Sequence, residues 1–170
     1  MRKLLSVSLI VLLSACASQT TQPEVDDLNS GSNMGNTNLS GSGSGRPGYF
    51  NQLQDPNSIL SQRSVYYDFD SYSVKGEYRE MVLAHAKLLR DNPDASVILQ
   101  GNTDDRGSRE YNLALGQRRA DGVRNMMALA GAGDSQIEAV SFGEEKPRAL
   151  GSGESAWSQN RRTDIVYRGE

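Results

Sequence analysis

The chain has 170 residues and a formal net charge of −3, which suits one folded domain plus a tail. The mildly acidic balance gives no electrostatic reason to expect nucleic acid as a partner. One cysteine and one histidine rule out an intrachain disulfide framework and argue against a metal centre built on several His ligands.

Met1 to Lys3 carry positive charge, and Leu4 to Leu13 form a nearly unbroken apolar stretch. That stretch is too short for an ordinary transmembrane helix and fits a secretory signal. Leu13-Ser14-Ala15-Cys16 closes it, with small residues leading into the sole cysteine. The segment resembles the lipobox of a bacterial lipoprotein. The resemblance implies that residues 1–15 are a signal peptide and that Cys16 becomes a lipid-bearing N-terminus. The competing readings are an ordinary signal with a stray thiol, or a core cysteine, but nothing just after Cys16 resembles a core. Ala17 and Ser18 stand where lipoproteins kept in the inner membrane usually begin with Asp, which implies an outer-membrane address with the domain in the periplasm. Acyl chains gain roughly 0.8 kcal/mol per buried CH2, so several on one residue make a lasting anchor. No cofactor beyond this covalent lipid on Cys16 is expected.

Residues 16–60 read as the lipidated Cys and a flexible tether. Ser30 to Gly45 is SGSNMGNTNLSGSGSG, a composition that cannot bury enough apolar area to offset its ordering entropy. Residues 17–60 would average roughly 35–40 Å end to end and reach about 150 Å when stretched.

Residues 61–170 read as the folded domain. Ser64 to Phe69 is β-branched and aromatic, a strand. Asp70, Ser71 and Ser73 offer turn and N-cap oxygens. Gly76 to Arg90 repeats Met81, Ala84 and Leu88 at helical spacing, and Asn92-Pro93 stops it. Ala95 to Gln100 is a short buried strand, and 101–110 a polar loop. A long helix runs from about Ser108 to Ala130 and ends at Gly131-Ala132-Gly133. Gln136 to Phe142 alternates as a strand, 143–160 reads as loop, and Arg162 to Arg168 as a last strand. The order βαβαββ predicts an α+β sandwich with helices on one face of a sheet.

The polar loop and long helix carry Thr103-Asp104, Gly107, Tyr111-Asn112, Leu115, Arg119-Ala120 and Val123. This register resembles the OmpA-like peptidoglycan-binding domain, commonly written TDxxGxxxYNxxLSxxRAxxV. Tyr67-Asp68-Phe69-Asp70 resembles the end of the family's first strand and Asn160-Arg161-Arg162 its closing NRR, so the match spans 64–168. The implied fold is a mixed four-stranded sheet. Two positions depart from the family: Gly101-Asn102 replaces the usual Gly-His, and Gly116 the usual Ser. Neither replaces a charged ligand group. Gly inside a helix costs roughly 1 kcal/mol against Ala, so the helix is either locally weak or closely packed there.

The resemblance implies a ligand, the diaminopimelate of the peptidoglycan stem peptide, whose free end carries an ammonium and a carboxylate. Asp104 would receive the ammonium and Arg119 hold the carboxylate in a bidentate fork. Thr103 and Asn112 would add neutral hydrogen bonds, and the loop around Asp68, Phe69 and Asp70 would close the pocket. Spacing does not pair Asp104 with Arg119: with a helix from Ser108, Arg119 lies about 16 Å along it. Without the motif, an Asp and an Arg are a surface salt bridge. Asp70 is explained equally by capping the first helix. Arg118 reads as solvated, and His85 as a packed or surface helix residue rather than a ligand. Arg161 and Arg162 either support the site or pair with Asp105 and nearby acids.

Three functions follow. The first is a non-catalytic tie between outer membrane and cell wall, which the resemblance places in the Tol system of envelope integrity and cell division, or outside it. The second is a wall hydrolase. This is disfavoured by the single histidine, by a cysteine committed to lipid, and by Asp104 and Asp105 lying in a polar loop without an evident apolar wall. The third is partner binding, since the family resemblance also implies TolB and other Tol proteins.

Overall fold

The computed structural model describes residues 48–170. The expected signal peptide, Cys16 and the expected tether up to residue 47 lie outside the described residues. Four strands, β1 (Ser64–Tyr66), β2 (Val97–Asn102), β3 (Ile137–Gly143) and β4 (Arg162–Tyr167), form one sheet in the order β1-β4-β2-β3. The sheet is mixed. β2 and β3 run parallel, which requires a crossover, supplied by helix α3 (Arg109–Leu129). β4 inserts between β1 and β2, antiparallel to both.

Helix α2 (Arg79–Asp91), entered through a 3-10 turn at Gly76–Tyr78, packs with α3 on one face of the sheet. Alternate residues of β2, Val97 and Leu99, point into this layer with Val65, Ile165 and Tyr167. They meet Val82, Ala86 and Leu89 of α2 and Ala120, Val123 and Met127 of α3. Period-two and helical apolar spacing thus converge on one core.

β1 is shorter than the expected strand over 64–69. The Tyr67 amide still donates to the Arg161 carbonyl at 3.0 Å, but β4 begins only at Arg162. The chain then turns, with the Ser71 amide on the Asp68 carbonyl and Asp70 at φ 55°. Asp is among the few residues that visit this left-handed region at low cost. Two helices were not expected. Helix α4 (Glu154–Asn160) lies inside the segment read as loop, and α1 (Tyr49–Gln54) inside the segment read as tether. Tyr49, Phe50 and Leu53 are buried, as is Leu60 of the next 3-10 turn. The Tyr49 ring lies 4.7 Å from Phe50 and 6.1 Å from Tyr167, centroid to centroid. The folded unit therefore includes residues 48–60, which corrects the boundary at 61.

His85 is fully buried on α2. Its Nε2 faces the Gln62 carbonyl at 2.9 Å, which can only accept, so Nε2 carries the proton. Nδ1 then accepts from the Tyr167 hydroxyl at 2.8 Å. Burial pushes its pKa down to about 4. It is a core residue.

Candidate functional site

Where β2 ends, α3 lies against the strand with almost nothing between them. A Cβ on Gly101 would stand 1.9 Å from the Gly116 carbonyl oxygen, and one on Gly116 would stand 2.3 Å from Ser141 Oγ. The unusual Gly116 thus marks close packing. This contact sets Arg119, one turn further along α3, beside the end of β2. Arg119 is fully buried. Its Nε donates to the Ser71 carbonyl and Nη1 to the Asn102 carbonyl, both at 2.8 Å, and Nη2 to the Asp68 carbonyl at 3.4 Å. Its guanidinium carbon lies 4.8 Å from the Tyr67 ring centre. Burial lowers its pKa to about 10, opposed by the nearby Tyr67 and Asp104. The guanidinium therefore stays charged at neutral pH and ties the β1–α2 loop to α3 and β2.

Asp104 follows β2 directly and is 3% exposed. Its Oδ2 accepts from Arg106 Nη2 at 2.6 Å and from Arg161 Nη1 at 3.2 Å, while Oδ1 accepts from the Arg106 amide at 3.2 Å. Burial alone would raise this carboxyl. The hydrogen bonds from Arg106 and Arg161 outweigh it and hold the pKa below the usual carboxylate range. Arg161 is buried too. It donates to the Tyr67 carbonyl at 3.0 Å and pairs with Glu154 at the start of α4. Burial would lower its pKa, but Glu154 and Asp104 raise it on balance.

A cavity of about 180 Å³ joins these groups. Its wall includes Phe69, Asp70, Thr103, Asp104, Asn112 and Arg119, so all six candidates from the sequence, Cys16 aside, come together. Asp104 and Arg119 share the wall while their hydrogen bonds go to other groups. Thr103 is buried, and its hydroxyl has no hydrogen-bond partner among the described residues. Asn112 is buried and donates to Glu144. Phe69 is 60% exposed at the rim. Asp70 does not cap a helix. Its carboxylate accepts from the Tyr111 hydroxyl.

The sequence did not disclose Arg106. Its guanidinium lies 4.0 Å from the Phe69 ring centre and 4.0 Å from that of Trp157 on α4. Nor did it separate the two terminal arginines: Arg161 joins the site, whereas Arg162 pairs with Asp164 on its own strand, and neither is paired with Asp105. Only a composition cue, a lone Trp in ESAWSQN, could have pointed to α4. The cavity offers a permanent anion, buried guanidinium groups and a free hydroxyl, a donor set matched to a compact group bearing both charges. With its pKa held low, Asp104 is an acceptor and not a proton donor.

A model of the OmpA family matches residues 66–161. The chain is 48% identical over 110 residues to a peptidoglycan-associated lipoprotein of Pasteurella multocida, covering 64% of this chain and 73% of that protein. It is 35% identical over 167 residues to the Legionella pneumophila protein of the same name, covering 96% and 92%. The crystal structure of the peptidoglycan-associated lipoprotein from Burkholderia pseudomallei superposes with a TM-score of 0.67 at 56% identity, covering 69% of this chain and 99% of that one. The C-terminal domain of Helicobacter pylori MotB shares the fold at 20% identity and a TM-score of 0.57, covering 62% and 83%. Motif, topology and relatives agree, and the chain belongs to the OmpA family and, within it, to the peptidoglycan-associated lipoproteins.

Proposed function

We propose that this chain binds peptidoglycan without catalysis, taking the zwitterionic end of a diaminopimelate stem peptide into the cavity between Asp104 and Arg119. The observation that carries this reading is the cavity itself: the Asp104 carboxylate held ionised, the buried Arg119 guanidinium and the Thr103 hydroxyl, unpartnered among the described residues, around a space sized for a small group. Asp104 takes the ammonium, Arg119 the carboxylate through the N–H groups its carbonyl partners leave free, and Thr103 and Asn112 supply neutral hydrogen bonds. The names of the relatives support peptidoglycan as the larger ligand. A hydrolase would need a carboxyl with a raised pKa as its acid, and Asp104 is shifted the other way.

With Cys16 lipidated in the outer membrane and the domain in the periplasm, such binding ties membrane to wall. TolB and other Tol proteins complete the proposal as partners in envelope integrity and division. The deciding experiment is co-sedimentation of the protein with purified sacculi, with free diaminopimelate as competitor. Binding that diaminopimelate displaces supports the reading, and binding indifferent to it refutes the site. A zymogram for wall degradation should show no clearing.

A further inference from the structure

Both charged ends of the cavity are closed by the protein's own groups. Asp104 is sealed by two guanidinium groups of unequal standing. Arg161 has a side chain only 6% exposed and is fixed by Glu154 and the Tyr67 carbonyl as well as by Asp104. Arg106 has a side chain 32% exposed. It is held by Asp104 and by two ring faces from separate segments, Phe69 and Trp157. Its Nε is buried without a hydrogen-bond partner among the described residues. Arg106 is therefore the cation that can leave, and Asp104 remains paired with Arg161 when it does. The cavity wall carries Asp70 and Asp104 against Arg106, Arg119 and Arg161, so a further ammonium brought to Asp104 would crowd several cations around one carboxylate.

Resting on the proposal that Asp104 takes the ligand's ammonium, we infer that Arg106 is a built-in competitor for that position, clasped between Phe69 and Trp157, and that ligand binding exchanges Arg106 for the ligand's ammonium. Affinity then reflects a difference between two cations on one carboxylate. A ligand with an ammonium must displace the clasp, and a ligand with only a carboxylate leaves it in place. The stacking of Arg106 on Trp157, the only tryptophan in the chain, gives the exchange its own reporter.

The test uses the full chain in detergent micelles, titrated with a diaminopimelate-containing stem tripeptide, reading Trp157 emission and calorimetric affinity. Wild type is expected to bind with a saturable change in emission. Arg106→Ala, freed of competition, is expected to bind at least about tenfold tighter, the lower end of the scale for one ion pair with a partly exposed cation plus two cation–π contacts. Arg106→Gln keeps a planar group against the rings without the charge. It should also bind tighter, and it carries the test if the alanine variant fails to fold. Wild-type binding with equal or weaker affinity in the folded variants overturns this inference alone, as does binding that leaves Trp157 emission unchanged. Absence of binding in every protein, wild type included, overturns the site itself.

Discussion

Gly101→Ala should be among the most damaging small substitutions in the domain. The added Cβ would lie 1.9 Å from the Gly116 carbonyl oxygen, a rigid backbone atom. Restoring even the 3.0 Å that real contacts respect requires β2 and α3 to part by about 1.1 Å. Overpacking of this kind costs about 1–3 kcal/mol. A rigid shift of α3 would also stretch the bond between Arg119 Nη1 and the Asn102 carbonyl from 2.8 Å to roughly 3.9 Å, beyond hydrogen-bonding range. Losing that charged, buried bond adds about 1.5–3 kcal/mol. The combined loss of about 2.5–6 kcal/mol should lower the melting temperature by roughly 10–25 °C. Thermal and urea melts followed by circular dichroism measure it. Gly76→Ala, where a Cβ meets nothing within 4 Å, is the control and should stay within about 0.5 kcal/mol of wild type. A Gly101→Ala protein less than about 1 kcal/mol below wild type would show that helix and strand do not touch as described.

Arg119→Lys keeps the charge but loses the planar fork, so it should weaken sacculus binding clearly, while Arg118→Ala, an exposed neighbour, should bind as wild type. Equal losses in co-sedimentation would show that general basic charge holds the wall. Leu53→Ala empties a site 2% exposed and should cost about 2–4 kcal/mol; an unchanged urea midpoint would return α1 to the tether. His85 has a folded-state pKa near 4, below its ordinary 6.5, so the unfolded chain binds more protons between these values. Its contribution to stability is complete above pH 6.5 and is lost as pH falls toward 4, by about 2 kcal/mol between pH 7 and 5. Urea melts of wild type and His85→Gln at both pH values check this, and identical pH slopes would refute it. Cys16→Ser should leave a folded periplasmic protein no longer held in the membrane; its recovery in the outer-membrane fraction after wall removal would refute lipid anchoring.

The strands and the two long helices were legible because each carries its own period, two in Val97–Leu99 and near 3.6 in Met81–Leu88. α1 was hidden by its surroundings. Tyr49, Phe50 and Leu53 have helical spacing, but they follow a Gly/Ser run that dominates any average over the tether. α4 is short, follows two glycines, and owes its place to Trp157 packing on Arg106 and to Arg161 pairing with Glu154, contacts with no local signature. At the site, the motif pointed to Asp104 and Arg119. It could not show that their hydrogen bonds are spent on Arg106, Arg161 and the carbonyls of Asp68, Ser71 and Asn102. Those partners lie up to 57 residues away in sequence, and only the fold brings them together.

The placement of α1 has a mechanical consequence. α1 docks beside Tyr167, at the end of β4 remote from the cavity, and the chain passes from it through the 3-10 turn into β1, which runs toward Phe69 and Asp70. A pull entering at Gly48 and resisted at the cavity is directed along β1. Once α1 has been peeled from the core, the antiparallel ladder of Ser64, Val65 and Tyr66 with Asp164, Thr163 and Arg162 is loaded in shear. Its hydrogen bonds then share the tension instead of parting one after another, and Arg148, which bridges Ser64 and Asp164, works as a rivet across the same seam. Pulled from any point that peeled β1 sideways, the same few bonds would yield at a fraction of the force.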